Sequence, residues 1–316
     1  MTARVRLICI VGHTASGKSS LAMDLARKLP AGLLSVDSMQ VYRGFDIGTA
    51  KPTAAERKEV RHFGLDLCDP GTRFSAGRFM DYARQTLAEE AVAGRTVLAV
   101  GGTGLYLKAM LHGLGPEAPA DDVLREELRA TEEVDPGAMH RRLSTLDPVS
   151  AARLHPNDRV RCERALEVFL LSGEPISVWQ ERHRFSEAPF ETMLFGIRWE
   201  RSALRRRISA RIRVMLQSGW IEEVRTLLDT GVTEDMTAMI ALGYRDIAAH
   251  LRGECDAEAM FTRIERASHR FAKRQTTWFN REPSINWLDP APDLAQRLLP
   301  TVEEFLSGGA AKTLEP

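Results

Sequence analysis

Val5-Arg6-Leu7-Ile8-Cys9-Ile10-Val11 runs directly into Gly12-His13-Thr14-Ala15-Ser16-Gly17-Lys18-Ser19, and this stretch decides the fold class. Its first part is almost wholly apolar and β-branched, as a strand buried on both faces requires. Its second part satisfies the G-x-x-x-x-G-K-[ST] pattern, and helix-forming residues follow over 18–29. Strand, glycine loop and helix in that order describe a cradle: the glycines let several backbone N–H groups point inward, and the helix end adds partial positive charge. Lys18 contributes a full charge, and Ser19 supplies a hydroxyl suited to a magnesium ion. Residues 12–19 therefore form a candidate polyphosphate site. The loop alone leaves open whether its guest is a nucleotide triphosphate or another molecule carrying a diphosphate.

Outward from the cradle, short apolar runs recur at 33–36 and 96–100, with a long helical pattern over 75–93 between the two. The first third is thus a βα-repeating unit, and a parallel sheet flanked by helices is expected. After Lys108 the chain is broken by Gly113, Gly115, Pro116 and Pro119, and residues 121–184 are rich in Arg, Glu, Leu and Ala without a convincing strand. A β-type run returns at 193–199, followed by helical patterns over 203–217 and 257–279. The expected organisation is an α/β class, P-loop-type parallel sheet core, begun in residues 1–118 and completed in 192–316, with an all-helical insertion at 119–191.

Composition narrows the function classes. The 316 residues carry 43 Lys+Arg against 43 Asp+Glu, so no global charge attracts a polyanion, and any such site must be local. No apolar run approaches the roughly 20 residues that cross a bilayer, and no cleavage pattern follows Met1, so a cytoplasmic protein without membrane contact is expected. Cys9, Cys68, Cys162 and Cys255 lie far apart and form no Cys-x-x-Cys pair, which encodes neither a disulfide framework nor a zinc ribbon.

The second strand ends in Ser35-Val36-Asp37-Ser38-Met39-Gln40, and the carboxyl ends of parallel strands are where α/β folds gather their chemistry. Asp37 can hold magnesium through water, accept a proton, or cap the following turn. The segment 41–52 is long, irregular and Gly-rich, more than a simple connection needs. Val100-Gly101-Gly102-Thr103-Gly104-Leu105-Tyr106 closes another strand with glycines and places Thr103 as an N-cap, a phosphate ligand, or both. Arg198, Arg201, Arg205, Arg206, Arg207, Arg211 and Arg213 face Glu200 alone in their stretch, either a local RNA-type face or a solvated helix surface.

Together these segments resemble the tRNA dimethylallyltransferases, also called tRNA isopentenyltransferases, of the bacterial type. The cradle, residues 37–52 and 100–106 carry the resemblance, and it extends through His155-Pro156-Asn157-Asp158, Gly243-Tyr244-Arg245 and residues 272–278, nearly the whole chain. It implies transfer of a dimethylallyl group from its diphosphate to the exocyclic amine of the adenosine 3′ of the anticodon, with Mg2+ as cofactor. By the same resemblance Asp37 is the base, Lys18 and Thr103 complete the catalytic set, and Arg245 joins residues 12–19 at the diphosphate. Ser38, Met39 and Gln40 line the adenosine, and Arg125, Arg161, Arg164, Gly243, Tyr244, Arg245, Lys273, Arg274 and Gln275 meet tRNA, with the insertion clasping the anticodon arm. A monomer is expected. His13 stands where the family has proline, Ile240 where it often has a basic residue, and Asn280 where arginine is expected. The competing reading is an ATP-dependent P-loop small-molecule kinase, with Asp37 deprotonating a hydroxyl.

Overall fold

A computed structural model of the chain describes residues 4–114, 120–183 and 187–309. It divides into two units, Met1–Leu111 with Pro189–Pro316, and His112–Ala188.

The first unit is built on β1 (Val5–Val11), whose Leu7, Ile8, Cys9 and Ile10 are fully buried. Each such Leu or Ile stabilises the fold by about 1.5–3 kcal/mol. Helix α1 (Lys18–Lys28) leads to β2 (Gly32–Val36), then α2 (Ala54–Glu59), β3 (His62–Phe63), α3 (Ala76–Val92), β4 (Val97–Gly101) and α4 (Gly104–His112). In the second unit lie α5 (Asp122–Val134), α6 (Ala138–Leu146), α7 (Pro148–Arg153), α8 (Arg159–Ser172) and α9 (Ile176–His183). The first unit resumes with β5 (Phe190–Ile197), α10 (Arg201–Gln217), α11 (Trp220–Asp229), α12 (Tyr244–Leu251), α13 (Ala257–Phe279), β6 (Ile285–Leu288) and α14 (Leu294–Ser307).

The six strands among the described residues are all parallel, in the order β3-β2-β4-β1-β5-β6. The register pairs Gly101 with both Val11 and Val36, so the residues after β1, β2 and β4 emerge side by side at one edge. Gly101 is obligatory there, since a Cβ would stand 2.1 Å from the Val36 carbonyl oxygen. The expected parallel sheet is present, and β6 adds a short strand that its four residues, two of them polar or aromatic, did not announce.

The helical unit packs Leu128, Met139, Leu143, Cys162 and Leu166 into its own core. Its buried Asp147 caps α7 and accepts hydrogen bonds from the backbone N–H and hydroxyl of both Ser150 and Ser177. Burial opposes the Asp147 charge, but those four donors outweigh it and hold the carboxyl below its ordinary range. The unit spans His112–Ala188 where 119–191 was expected, and Gly113, at φ 77°, breaks the chain after α4. Residues 115–119 lie outside the described ones. Among the described residues no helix is long and apolar enough to cross a membrane.

Candidate functional site

The phosphate loop follows β1 as its sequence requires. Gly17, at φ 97°, precedes α1, and Ala15 adopts φ 60°, a conformation that a non-glycine residue holds only with support. That support comes from distant residues. Arg207 Nε donates to the Ala15 carbonyl (2.8 Å), Trp199 Nε1 donates to the Ser16 carbonyl (2.8 Å), and the Arg207 guanidinium lies 4.2 Å from the Trp199 ring centroid. From the other side, Gln275 accepts from the Thr14 N–H (2.8 Å) and donates to the Gly102 carbonyl (2.9 Å), tying the loop to the end of β4. Buried His13 gives its carbonyl to Lys18 Nζ at 3.2 Å. Burial pushes its imidazole below the ordinary range, the bond to the Thr14 carbonyl opposes this, and Lys18 and Arg207 add to the lowering.

A cavity of about 530 Å³ opens beside this loop, lined by Thr14, Lys18 and Ser19, by Asp37 and residues 38–40 and 48–52, and by Thr103, Arg211, Arg274 and Gln275. Lys18 is pushed down to about 8, first by burial and then by repulsion from Arg211, with Asp37 partly offsetting both. Arg211 is itself lowered by burial and supported by Asp37. The charges of Lys18, Arg211 and Asp37 thus act on one another within one cavity. Asp37 Oδ1 accepts from the Met39 N–H (2.9 Å), an Asx-type turn, and its other oxygen has no hydrogen-bond partner among the described residues. Thr103 Oγ1 accepts from the Ser38 N–H (3.0 Å) and joins the ends of β2 and β4. Ile240, 58% exposed, contributes an apolar group to the cavity lining where a cation was expected.

A second cavity, of about 750 Å³, lies along α10 and α13 and is lined by His13, Arg198, Arg201, Arg205, Arg270 and Lys273 together with Asn280, with no carboxylate among its described lining residues. Successive residues of α13 therefore serve different cavities, Lys273 the second and Arg274 the first.

Several expectations give way to the geometry. Gln40 lines the cavity with its amide engaged inside the protein, donating to the Thr49 and Ala50 carbonyls (both 3.0 Å) and accepting from Ser35 Oγ (2.7 Å), so it holds the loop. Gln275 is buried and likewise occupied. Tyr244 is fully buried and donates to Glu223, and Gly243 packs beneath Trp220, so both shape the fold and neither presents a surface to RNA. Arg245 does not line the cavity; its guanidinium is bound to the Glu234 carbonyl, and Arg211 takes the expected place beside the loop. In the helical unit Arg125 is buried against Glu167 (2.7 Å), which also holds Arg164, so the charges of both arginines are offset internally. Arg161 remains exposed, paired with Asp158 at 3.1 Å. Of the seven-arginine stretch, Arg207 braces the loop and Arg211 enters the cavity. Sequence reasoning counted Arg211 as surface; its signal was its place on α10 one turn beyond Arg207.

The chain matches the IPP transferase family model over residues 40–282. It belongs to that family. A protein of Geobacter metallireducens named tRNA dimethylallyltransferase is 44% identical over 303 residues, spanning 96% of this chain and 98% of the relative. A protein of the same name from Syntrophobacter fumaroxidans is 44% identical over 90% of this chain and 84% of its own length. Among solved structures, the tRNA isopentenylpyrophosphate transferase of Bacillus halodurans superposes with a TM-score of 0.70 at 36% identity, covering 96% of this chain and 97% of that one. A eukaryotic dimethylallyltransferase acting on tRNA gives a TM-score of 0.81 at 25% identity, covering 98% of this chain and 81% of that one.

Proposed function

We propose that this chain transfers a dimethylallyl group from dimethylallyl diphosphate to the exocyclic amine of the adenosine 3′ of the anticodon in tRNA, releasing diphosphate. The observation that carries the reading is one cavity holding a braced phosphate loop, two recessed cations and a carboxylate with an oxygen to spare. The names of the relatives supply the substrates, and they weigh against the kinase reading.

The residues divide the work by chemistry. As the allylic C–O bond breaks, negative charge grows on the departing diphosphate, and Lys18, Arg211 and the loop amides stabilise it in a recessed site where water screens little. The adenine amine then forms the new C–N bond. Its lone pair is delocalised into the ring, so loss of its proton late in the transition state matters, and the spare oxygen of Asp37 accepts that proton. Thr103 keeps the Asp37–Ser38 turn against β4. The target base leaves its stack at a cost of a few kcal/mol, offset by phosphate contacts for which exposed Arg274, Lys273 and Arg161 are the candidates.

Ser19, in the cavity lining, offers a hard oxygen that would hold a magnesium ion beside the loop, with the diphosphate supplying further oxygens. Bound there, the ion would neutralise charge on the leaving group. The test is incubation with dimethylallyl diphosphate and unmodified tRNA, followed by mass spectrometry of the nucleosides. Prenylated adenosine formed without any nucleotide is expected; phosphorylation of a small molecule from ATP would restore the kinase reading.

A further inference from the structure

We propose that Glu223 is a positioning residue for the acceptor side of the cavity, fixing the turn at residues 46–48 from behind. The role rests on the reading of that side as the adenosine pocket.

Glu223 sits in the first turn of α11 and does not line the cavity. Its Oε2 accepts from the N–H groups of Asp46 (3.0 Å) and Ile47 (2.6 Å), and its Oε1 from the Tyr244 hydroxyl (2.6 Å) and the Gly48 N–H (3.4 Å). Three consecutive backbone amides thus converge on one carboxylate, the concave arrangement that proteins otherwise use to hold anions. The turn is pressed onto the same support: a Cβ on Gly48 would stand 2.2 Å from Trp220 Nε1 and 2.6 Å from the Tyr244 ring. Charge-assisted bonds of this kind are about twice as strong as neutral ones.

The cavity wall depends on this anchor through a continuous chain of bonds. Thr49 donates to the Phe45 carbonyl, and the carbonyls of Thr49 and Ala50 receive Gln40, which in turn receives Ser35 of β2. Ala50 is held at φ 51°, a left-handed conformation that a non-glycine residue leaves when its surroundings loosen. Lys51 pins the far end, donating to Asp46, Asp66 and the Tyr42 carbonyl. Gly48, Thr49 and Ala50 form part of the lining, whereas the phosphate loop is braced by Arg207, Trp199 and Gln275. Loss of Glu223 should therefore disturb the acceptor and spare the diphosphate.

Steady-state kinetics of Glu223→Ala, Glu223→Gln and Tyr244→Phe, with amide hydrogen exchange over residues 46–48, test this. In Glu223→Ala the KM for tRNA should rise by roughly tenfold or more while the KM for dimethylallyl diphosphate stays within about twofold. Glu223→Gln should fall between it and wild type, because its amide oxygen still accepts but its –NH2 meets another donor. Tyr244→Phe should change least, and exchange at 46–48 should quicken in the same order. An unaltered KM for tRNA, an equal rise in both KM values, or a change confined to kcat would overturn the assignment. Wild-type enzyme making no prenylated adenosine would instead overturn the substrate reading, and unchanged exchange at 46–48 would still dispose of the anchor.

Discussion

Asp37 and Asp147 both cap a turn, and they differ in what they have left. Asp147, inside the helical unit, accepts four hydrogen bonds and is buried, whereas Asp37, at the sheet edge, gives one oxygen to Met39 and keeps the other for the cavity. The cations repeat the contrast. Arg125 and Arg164 share Glu167, and Arg129 is bound to Glu163 at 2.7 Å, while Lys18 and Arg211 line one cavity with the charge of Asp37 offsetting both. Charges in the helical unit are neutralised by neighbours and build architecture. Those at the carboxyl ends of β1, β2 and β4 are left underused, and an underused charge in a recess is available for chemistry.

The comparison breaks most readily at Asp37. Asp37→Asn keeps an oxygen for the Met39 N–H but loses the proton acceptor, so single-turnover prenyl transfer should fall by about 10²–10⁴-fold with melting temperature near wild type. A large loss of stability with little loss of rate would reverse the two roles. Asp147→Ala should do the opposite. It leaves buried donors unpaired and should cost about 3 kcal/mol, read by denaturant unfolding. The depressed carboxyl also gives this stabilisation a direction in pH: it is fully present above the ordinary aspartate range and is lost as pH falls through the lower folded-state value. Acid unfolding of wild type should therefore include a step that Asp147→Ala lacks.

Lys18 sharpens the contrast next. Its folded value of about 8 means that the free enzyme loses this charge as pH rises through 8, so kcat/KM for the donor should decline above that pH by up to tenfold per unit. Lys18→Arg, which stays charged, should flatten the decline. Arg274 and Arg125 give the smallest and most discriminating pair. Arg274→Ala should lower the salt slope of tRNA binding by about 1, and Arg125→Ala, whose charge is already spent on Glu167, should leave the slope unchanged while lowering stability. Equal slopes for the two variants would erase the distinction.

Residues whose partners lie nearby in sequence were legible from sequence. The strand–loop–helix at 5–28 reads from periodicity and glycines, and α3, α10 and α13 fall on the helical patterns at 75–93, 203–217 and 257–279. Illegible were the bonds that close over long separations. Glu223 to Asp46 spans 177 positions and Gln275 to Thr14 spans 261, and no local pattern announces either. For that reason Gln275 reads as a contact for RNA when its amide is already engaged inside the protein; Gln40 and Tyr244 find their partners only 5 to 21 positions away, but through side-chain bonds that no periodicity marks.

The bracing of the phosphate loop bears on how the molecule is made. Arg207, Trp199 and Gln275 reach back to a loop that a ribosome synthesises 183 to 261 positions ahead of them. A growing chain carries the glycine-rich signature long before its braces but acquires a competent receptor only after α13 has emerged. A truncated product ending before that helix would keep the hallmark and lose the grip.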